Sequence, residues 1–272
     1  MSIVQAFLDH SERTPERVCV RFAGESLSYG ELRQRALAWA AVLQDQGVAR
    51  GDRVALFLPN SVTFIAAYLG IQLAGAAAVL VNTQYRQNEL RHILNDSGAF
   101  VVVSDAHGAA ELERITEPRT TNDEPRNEGT TGRQDDFSES RAQNRERRTE
   151  SAEPRTADGG GWRVIRAAPF AGPEPPIILP KGDEVALLAY TSGTTGRAKG
   201  AVLLQRNLAA NSAAVTQAWH WTHADCLLLT LPLFHIHGLG VGLHGTLFSG
   251  ASLVLYEHFD ATVALQGAAE RR

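Results

Sequence analysis

Between residues 52 and 103 the chain alternates short apolar runs with segments of helix length, and this pattern narrows its folds more than any other feature. Val54-Ala55-Leu56-Phe57-Leu58 is one run within 52–58, residues 76–81 form a second, and Phe100-Val101-Val102-Val103 a third. Each is short, bounded by turn residues and apolar on both sides of the pleat, as a strand buried on both faces must be. Between the first two, Ser61 is the expected N-cap of a helix running through Leu73. Between the second and third, residues 89–95 read as a helix with Leu90, Ile93 and Leu94 inward, closed by Ser97-Gly98. Helices linking wholly apolar strands imply a parallel sheet covered on both faces. The expected fold is therefore α/β and doubly wound, with mostly parallel sheets flanked by helices.

The remaining segments fit that layer. Residues 3–12 read as an amphipathic helix ending before Pro15, and 18–22 with 26–29 as a β-hairpin around Ala23-Gly24-Glu25. Residues 31–46 form a helix striped by Leu32, Ala36, Trp39, Ala40 and Leu43 and stopped by Gly47. The fold resumes at Trp162-Arg163-Val164-Ile165, and further strands are expected at 185–190, 201–204, 226–231 and 251–256, with helices over 205–218 and from near Asp260. Residues 64–81 carry no formal charge and approach spanning length. Gln72 and the break at Leu73-Ala74-Gly75-Ala76 favour a helix followed by a buried strand, so no membrane span is expected.

Residues 116–161 break the pattern. They are rich in Arg, Glu, Thr, Asn and Asp, contain Pro118, Pro125 and Pro154, and have Phe137 as their only large apolar residue. Such a stretch buries too little surface to offset its ordering entropy, and reads as a disordered insertion. Its charges alternate in sign, unlike a nucleic-acid-binding arm. The whole chain, at net charge −4 and pI near 6.1, offers no general basic face, so no nucleic-acid partner is expected. Cys19 and Cys226 stand far apart and outside any C-x-x-C pattern. With no signal peptide in Met1-Ser2-Ile3-Val4-Gln5, they suggest a reducing, cytoplasmic setting.

Chemistry concentrates at Leu188-Ala189-Tyr190-Thr191-Ser192-Gly193-Thr194-Thr195-Gly196-Arg197-Ala198-Lys199-Gly200. Two apolar runs flank a segment of hydroxyls and glycines, so this is a loop joining two strands. Gly193 and Gly196 permit close backbone approach, and Thr191, Ser192, Thr194 and Thr195 add hydroxyl donors. Lys199 supplies a mobile positive charge, and such a concavity of donors suits a polyphosphate. The spacing is neither the Walker pattern, with four residues between glycines and Lys next, nor the dinucleotide G-x-G-x-x-G.

The run from Tyr190 to Gly200 resembles the phosphate-binding motif of the AMP-forming acyl-CoA synthetases, the superfamily that also holds luciferases and peptide-synthetase adenylation domains. Leu27-Ser28-Tyr29-Gly30-Glu31-Leu32 and Leu73-Ala74-Gly75-Ala76-Ala77-Ala78-Val79-Leu80-Val81-Asn82 resemble structural segments of the same family. The resemblance implies that Thr191, Ser192, Gly193, Thr194, Thr195, Gly196 and Lys199 bind ATP with Mg2+. It also implies that a carboxylic acid is activated to an acyl-adenylate, and that coenzyme A then takes the acyl group as a thioester.

Leu231-Pro232-Leu233-Phe234-His235-Ile236-His237-Gly238-Leu239 carries the second set of candidates. His235 and His237, two apart, would point the same way on an extended segment, and half a metal site completed by His244, His258 or Asp260 is one reading. A packed or capping histidine is the plainer one, and no third ligand has a diagnostic spacing, so no metal is assigned. By resemblance, His235 borders the acyl pocket and Gly238 starts the helix lining it; the His-x-His-Gly form is closest in look to malonyl- and methylmalonyl-CoA synthetases. No hydrolytic triad or paired-carboxylate site is suggested by spacing.

The family's downstream motifs, for adenine, ribose and the C-terminal-domain Lys, are not found in the 272 residues. The chain is expected to be a partial N-terminal AMP-binding domain over 1–272, with the C-terminal domain absent and weak activity alone. The alternatives are a non-catalytic remnant or interaction protein, or half of a split enzyme completed by a C-terminal chain.

Overall fold

The computed structural model describes residues 2–116, 162–166, 174–191 and 197–269. The expected insertion thus lies outside the described residues from 117 onward, and so do Ser192, Gly193, Thr194, Thr195 and Gly196 of the phosphate loop. The α/β expectation holds, but it is divided over two sheets.

The larger sheet has six strands: β3 (Arg53–Phe57), β4 (Ala77–Leu80), β5 (Val101–Ser104), β6 (Arg163–Arg166), β7 (Val185–Thr191) and β8 (Lys199–Leu204), in the order β6-β5-β3-β4-β7-β8. All neighbours are parallel except β7 and β8, which form an antiparallel hairpin. The smaller sheet takes the order β2-β1-β10-β9, from β1 (Val18–Phe22), β2 (Glu25–Ser28), β9 (Cys226–Leu229) and β10 (Ser252–Leu255). Its β1–β2 pair is the expected hairpin; β1 runs parallel to β10, joining residues from opposite ends of the chain.

Helices α1 (Ile3–Arg13), α2 (Tyr29–Asp45), α3 (Val62–Leu73) and α4 (Gln87–Ser97) stand where the apolar periodicity places them. Ser28 caps α2 through a reciprocal box with Glu31, and Ser61 accepts from the Phe64 amide at the start of α3. Of the twelve residues of α3 only Thr63 is not buried, which explains why the stretch looks membrane-like. Its buried Gln72 is satisfied inside: Nε2 donates to Ala186 O at 2.9 Å, and Oε1 accepts from Gln205 Nε2. Among the described residues no helix is long and apolar enough to cross a membrane.

One helix was not foreseen, α5 (Ala106–Thr116), so the break placed at 116 falls on its last residue. Asp105 Oδ1 accepts from Gly108 N at its start, and Ala109, Leu112 and Ile115 face the core at helical spacing. α6 (Gln205–Ala218) follows β8 directly. A π-helical segment (His237–Leu243) then runs into α7 (His244–Ser249), and α8 (Ala261–Ala269) follows Asp260, whose carboxylate accepts from Val263 N.

Candidate functional site

The two chemistry-bearing stretches lie beyond the carboxyl ends of parallel strands, one in each sheet. Thr191 ends β7, which runs parallel to β4, so the phosphate loop leaves the large sheet at its carboxyl end. β9 ends at Leu229, and Leu231 to Gly238 follow it out of the small sheet. Asn60 joins these two ends. It sits just past β3, is 4% exposed, and donates from Nδ2 to Leu231 O at 3.0 Å and to Tyr256 O at 2.9 Å. Its Oδ1 accepts from Leu233 N at 2.7 Å. One buried amide therefore holds the carboxyl ends of β3, β9 and β10 together, the side on which open α/β sheets place ligands.

Across the mouth of the β7–β8 hairpin, Thr191 pairs with Lys199. Opposed residues of an antiparallel pair share a face, so the hydroxyl and the ammonium project together. Both are exposed, and Lys199 makes no ion pair among the described residues. One step back, Tyr190 pairs with Gly200. A methyl added there would sit 2.9 Å from the Tyr190 ring, so Gly200 leaves the ring room to lie across the hairpin.

His235 needs a correction. The segment is not extended: His235 N donates to Pro232 O at 3.1 Å in a turn, and Ile236 is already helical. His235 and His237 are both exposed, but a turn and a helical start separate them, so the same-side argument fails. His235 stacks beside Phe234, with centroids 4.7 Å apart. His244, a conceivable third ligand, is buried with Nε2 2.8 Å from the Tyr68 hydroxyl. Burial pushes its imidazole down to about 3, so it stays neutral. Among the described residues no three His, Cys, Asp or Glu side chains stand together as a metal site would require.

Gly238 is the second residue of the π-helical segment rather than the first residue of a helix. It is buried, and a methyl there would overlap the Pro232 carbonyl oxygen, so no other residue lets the turn close on itself. From α6, Asn211 Nδ2 donates to Gly240 O at 3.1 Å. Since α6 begins where β8 ends, it links the phosphate hairpin mechanically to the His235 segment. Sequence reading missed Asn60, Asn211, and His92 and Asp96 of α4, which touch the hairpin. Their partners are remote in sequence, and of this set only the neighbour of Asn60, the N-cap Ser61, carries a local signal.

The sequence profile of the AMP-binding enzyme family matches residues 7–271. The chain belongs to that family. It is 31% identical over 260 residues to a feruloyl-CoA synthase of Amycolatopsis, covering 95% of this chain and 45% of that protein. It is likewise 31% identical to the long-chain-fatty-acid–CoA ligase FadD13 of Mycobacterium tuberculosis, covering 87% and 41%. The chain thus spans about half the length of the curated relatives it matches. Among solved structures, the inhibitor-bound N-terminal domain of FACL13 from M. tuberculosis superposes with a TM-score of 0.77 at 27% identity, covering 99% of this chain and 60% of that one. ATP-bound MatB from Rhodopseudomonas palustris gives 0.74 at 27%, covering 99% and 48%. For this AMP-binding family member, the resemblance read from the loop and the α/β expectation are both borne out.

Proposed function

We propose that this chain is the part of an AMP-forming acyl-CoA synthetase that grips the pyrophosphate of ATP and borders the acyl pocket. In the complete reaction a substrate carboxylate oxygen attacks the α-phosphorus of ATP. The bond to the β-phosphate bridging oxygen breaks, leaving acyl-AMP and pyrophosphate. The sulfur of coenzyme A then attacks the acyl carbon, AMP leaves, and the thiol proton passes to solvent. Thr191, Ser192, Gly193, Thr194, Thr195, Gly196 and Lys199 are assigned to the β- and γ-phosphates, where negative charge builds on the leaving group. His235 and Gly238 are assigned to the acyl pocket, His235 as a catalytic-pocket side chain and Gly238 as the close turn that presents it.

The observation that carries the reading is the pairing of Thr191 with Lys199 at the carboxyl end of β7, inside a chain whose family match is nearly end to end. An exposed ammonium beside a hydroxyl, at the mouth of a loop of glycines and hydroxyls, fits a polyphosphate. Mg2+ enters as the ion carried by the ATP phosphates. The ATP in MatB and the acyl-CoA relatives support ATP, a carboxylic acid and coenzyme A as substrates. Two free thiols, Cys19 and Cys226, are consistent with a cytoplasmic setting.

Lys199→Ala tests the assignment. Mg-ATP binding by the chain, followed by calorimetry, should weaken about tenfold or more, as for loss of a charge-assisted contact. Unchanged affinity would remove Lys199 from the site. Acid-dependent exchange of pyrophosphate into ATP, run over ferulate, long-chain acids, malonate and methylmalonate, then identifies the acid.

A further inference from the structure

Helix α4 turns its outward face to the β7–β8 hairpin. His92 Nε2 lies 2.8 Å from Ala198 O; a carbonyl only accepts, so Nε2 carries the proton and donates. One turn further on, Asp96 Oδ2 accepts from the Tyr190 hydroxyl at 2.8 Å. Burial and then this carboxylate push the phenol well above its ordinary range, so it remains a donor. The His92 ring also meets the Tyr190 ring edge-on, with centroids 6.5 Å apart. The two contacts grip the hairpin on both strands, at Tyr190 before the mouth and at Ala198 just before β8.

The helix that holds the hairpin is itself held from the middle of the sheet. Arg53, the first residue of β3, donates from Nε to Ser97 O at 2.8 Å and from a terminal nitrogen to Gly98 O at 3.1 Å. A cation on the last carbonyls of a helix satisfies orphan acceptors and opposes the helix dipole. Between α4 and the Ala198 side of the hairpin lies a cleft of about 690 Å³, lined by polar groups such as Asn88, Asn95 and Arg197. Across it the His92 hydrogen bond ties Ala198 to the helix, while Tyr190 on the neighbouring strand packs against the apolar cluster that α4 shares.

We infer that His92 and Asp96 are positioning residues of the phosphate hairpin. They fix Ala198 and Tyr190 from a helix anchored on β3, and so keep Thr191 and Lys199 paired across the mouth, facing one nucleotide. The inference rests on the reading of that hairpin as the nucleotide grip, and its test separates the two.

Trypsin cuts after Arg197 and Lys199, so limited digestion of the 272-residue chain, followed by mass spectrometry, reads the hairpin directly. His92→Ala is expected to speed cleavage at these two sites about fivefold relative to other sites, as for loss of one hydrogen bond. His92→Gln, whose amide N–H reaches the place of Nε2, restores the rate to within about twofold. Tyr190→Phe keeps the ring, loses the donor to Asp96, and speeds cleavage by roughly two- to fivefold. Should His92→Ala unfold the chain, cleavage rises everywhere, and the two milder variants decide. Wild-type rates at Arg197 and Lys199 in His92→Ala and Tyr190→Phe overturn the inference.

Mg-ATP supplies the second arm. It should protect both sites, with a half-protecting concentration about fivefold higher in His92→Ala and restored in His92→Gln, a shift that a purely structural contact would not produce. No protection of the wild-type chain would remove the nucleotide role of the hairpin, and with it the inference, even if the variants loosen the strand.

Discussion

The centre and the edge of the large sheet are built on different terms. β4 and β5 are buried at every residue, and β3 at all but Arg53; all three are parallel and covered by helices on both faces. The β7–β8 hairpin belongs to the same sheet, yet β8 has no fully buried residue, and Val202 is 55% exposed. Apolar burial holds the centre. It reaches the hairpin through Ala186 and Leu187 of β7, while the outermost strand β8 is held mainly by its antiparallel hydrogen bonds to β7, by partly buried Leu203 and by the α4 contact at Ala198. Exposed hydroxyls and a lysine are tolerable only at such an edge, and that is where the chain carries them.

The contrast is broken most sharply at its centre. Leu56→Ala in β3 removes a fully buried side chain and should cost about 2–5 kcal/mol, read as a lower urea midpoint at unchanged m-value. Asn60→Ala comes next, because it strands two carbonyls and one amide where the sheets meet. A loss of roughly 2–4 kcal/mol is expected, with faster hydrogen exchange at the Leu233 and Leu239 amides. Unchanged exchange there would mean that Asn60 does not hold the His235 segment.

A third effect depends on pH. His244 has a folded pKa near 3, below its ordinary 6.5, so between those values the unfolded chain takes up a proton that the folded chain refuses. Stability contributed by the neutral ring is present above pH 6.5 and is lost as pH falls towards 3. His244→Phe removes that dependence, so the stability gap between wild type and variant should change by roughly 1–3 kcal/mol between pH 7 and pH 4.5. Parallel pH profiles would show that the ring is not refused its proton. The smallest effect belongs to the edge: Val202→Ala should lie within about 0.5 kcal/mol of wild type. A cost like that of Leu56→Ala would mean that the hairpin is covered in solution.

Much of this contrast is legible in the sequence. Uniform apolar runs announce β3, β4 and β5, and Ser61 caps the start of α3 as expected, whereas the Ser28 cap starts α2 at Tyr29, two residues before the position that the apolar stripe indicates. α5 escapes the sequence reading although Asp105, Ala109, Leu112 and Ile115 give a cap and a face, because Gly108 stands in its first turn and the helix runs directly into the polar stretch from 116. The extended reading of His235 and His237 failed for a local reason: Gly238 seats against the Pro232 carbonyl and folds the segment into a turn. At the site, types of residue were legible and partners were not. Glycines and hydroxyls announce the phosphate loop, but the contacts of His92 and Asp96 lie 106 and 94 residues away, and those of Asn60 from 171 to 196. Periodicity has no access to such distances.

The pairing of β1 with β10 has a consequence for how the chain comes into being. Val20 and Arg21 lie beside Leu253 and Val254, so one flank of β1 must wait for residues made more than 230 positions later. At ordinary synthesis rates that wait lasts roughly ten to fifty seconds. Throughout it the nascent hairpin shields β1 only on the β2 side, and its other flank presents unpaired amides and carbonyls to whatever strand passes. The large sheet can close around β3, β4 and β5 well before then, so the small sheet closes after the large one, and the interval between the two is a period open to aggregation on the ribosome.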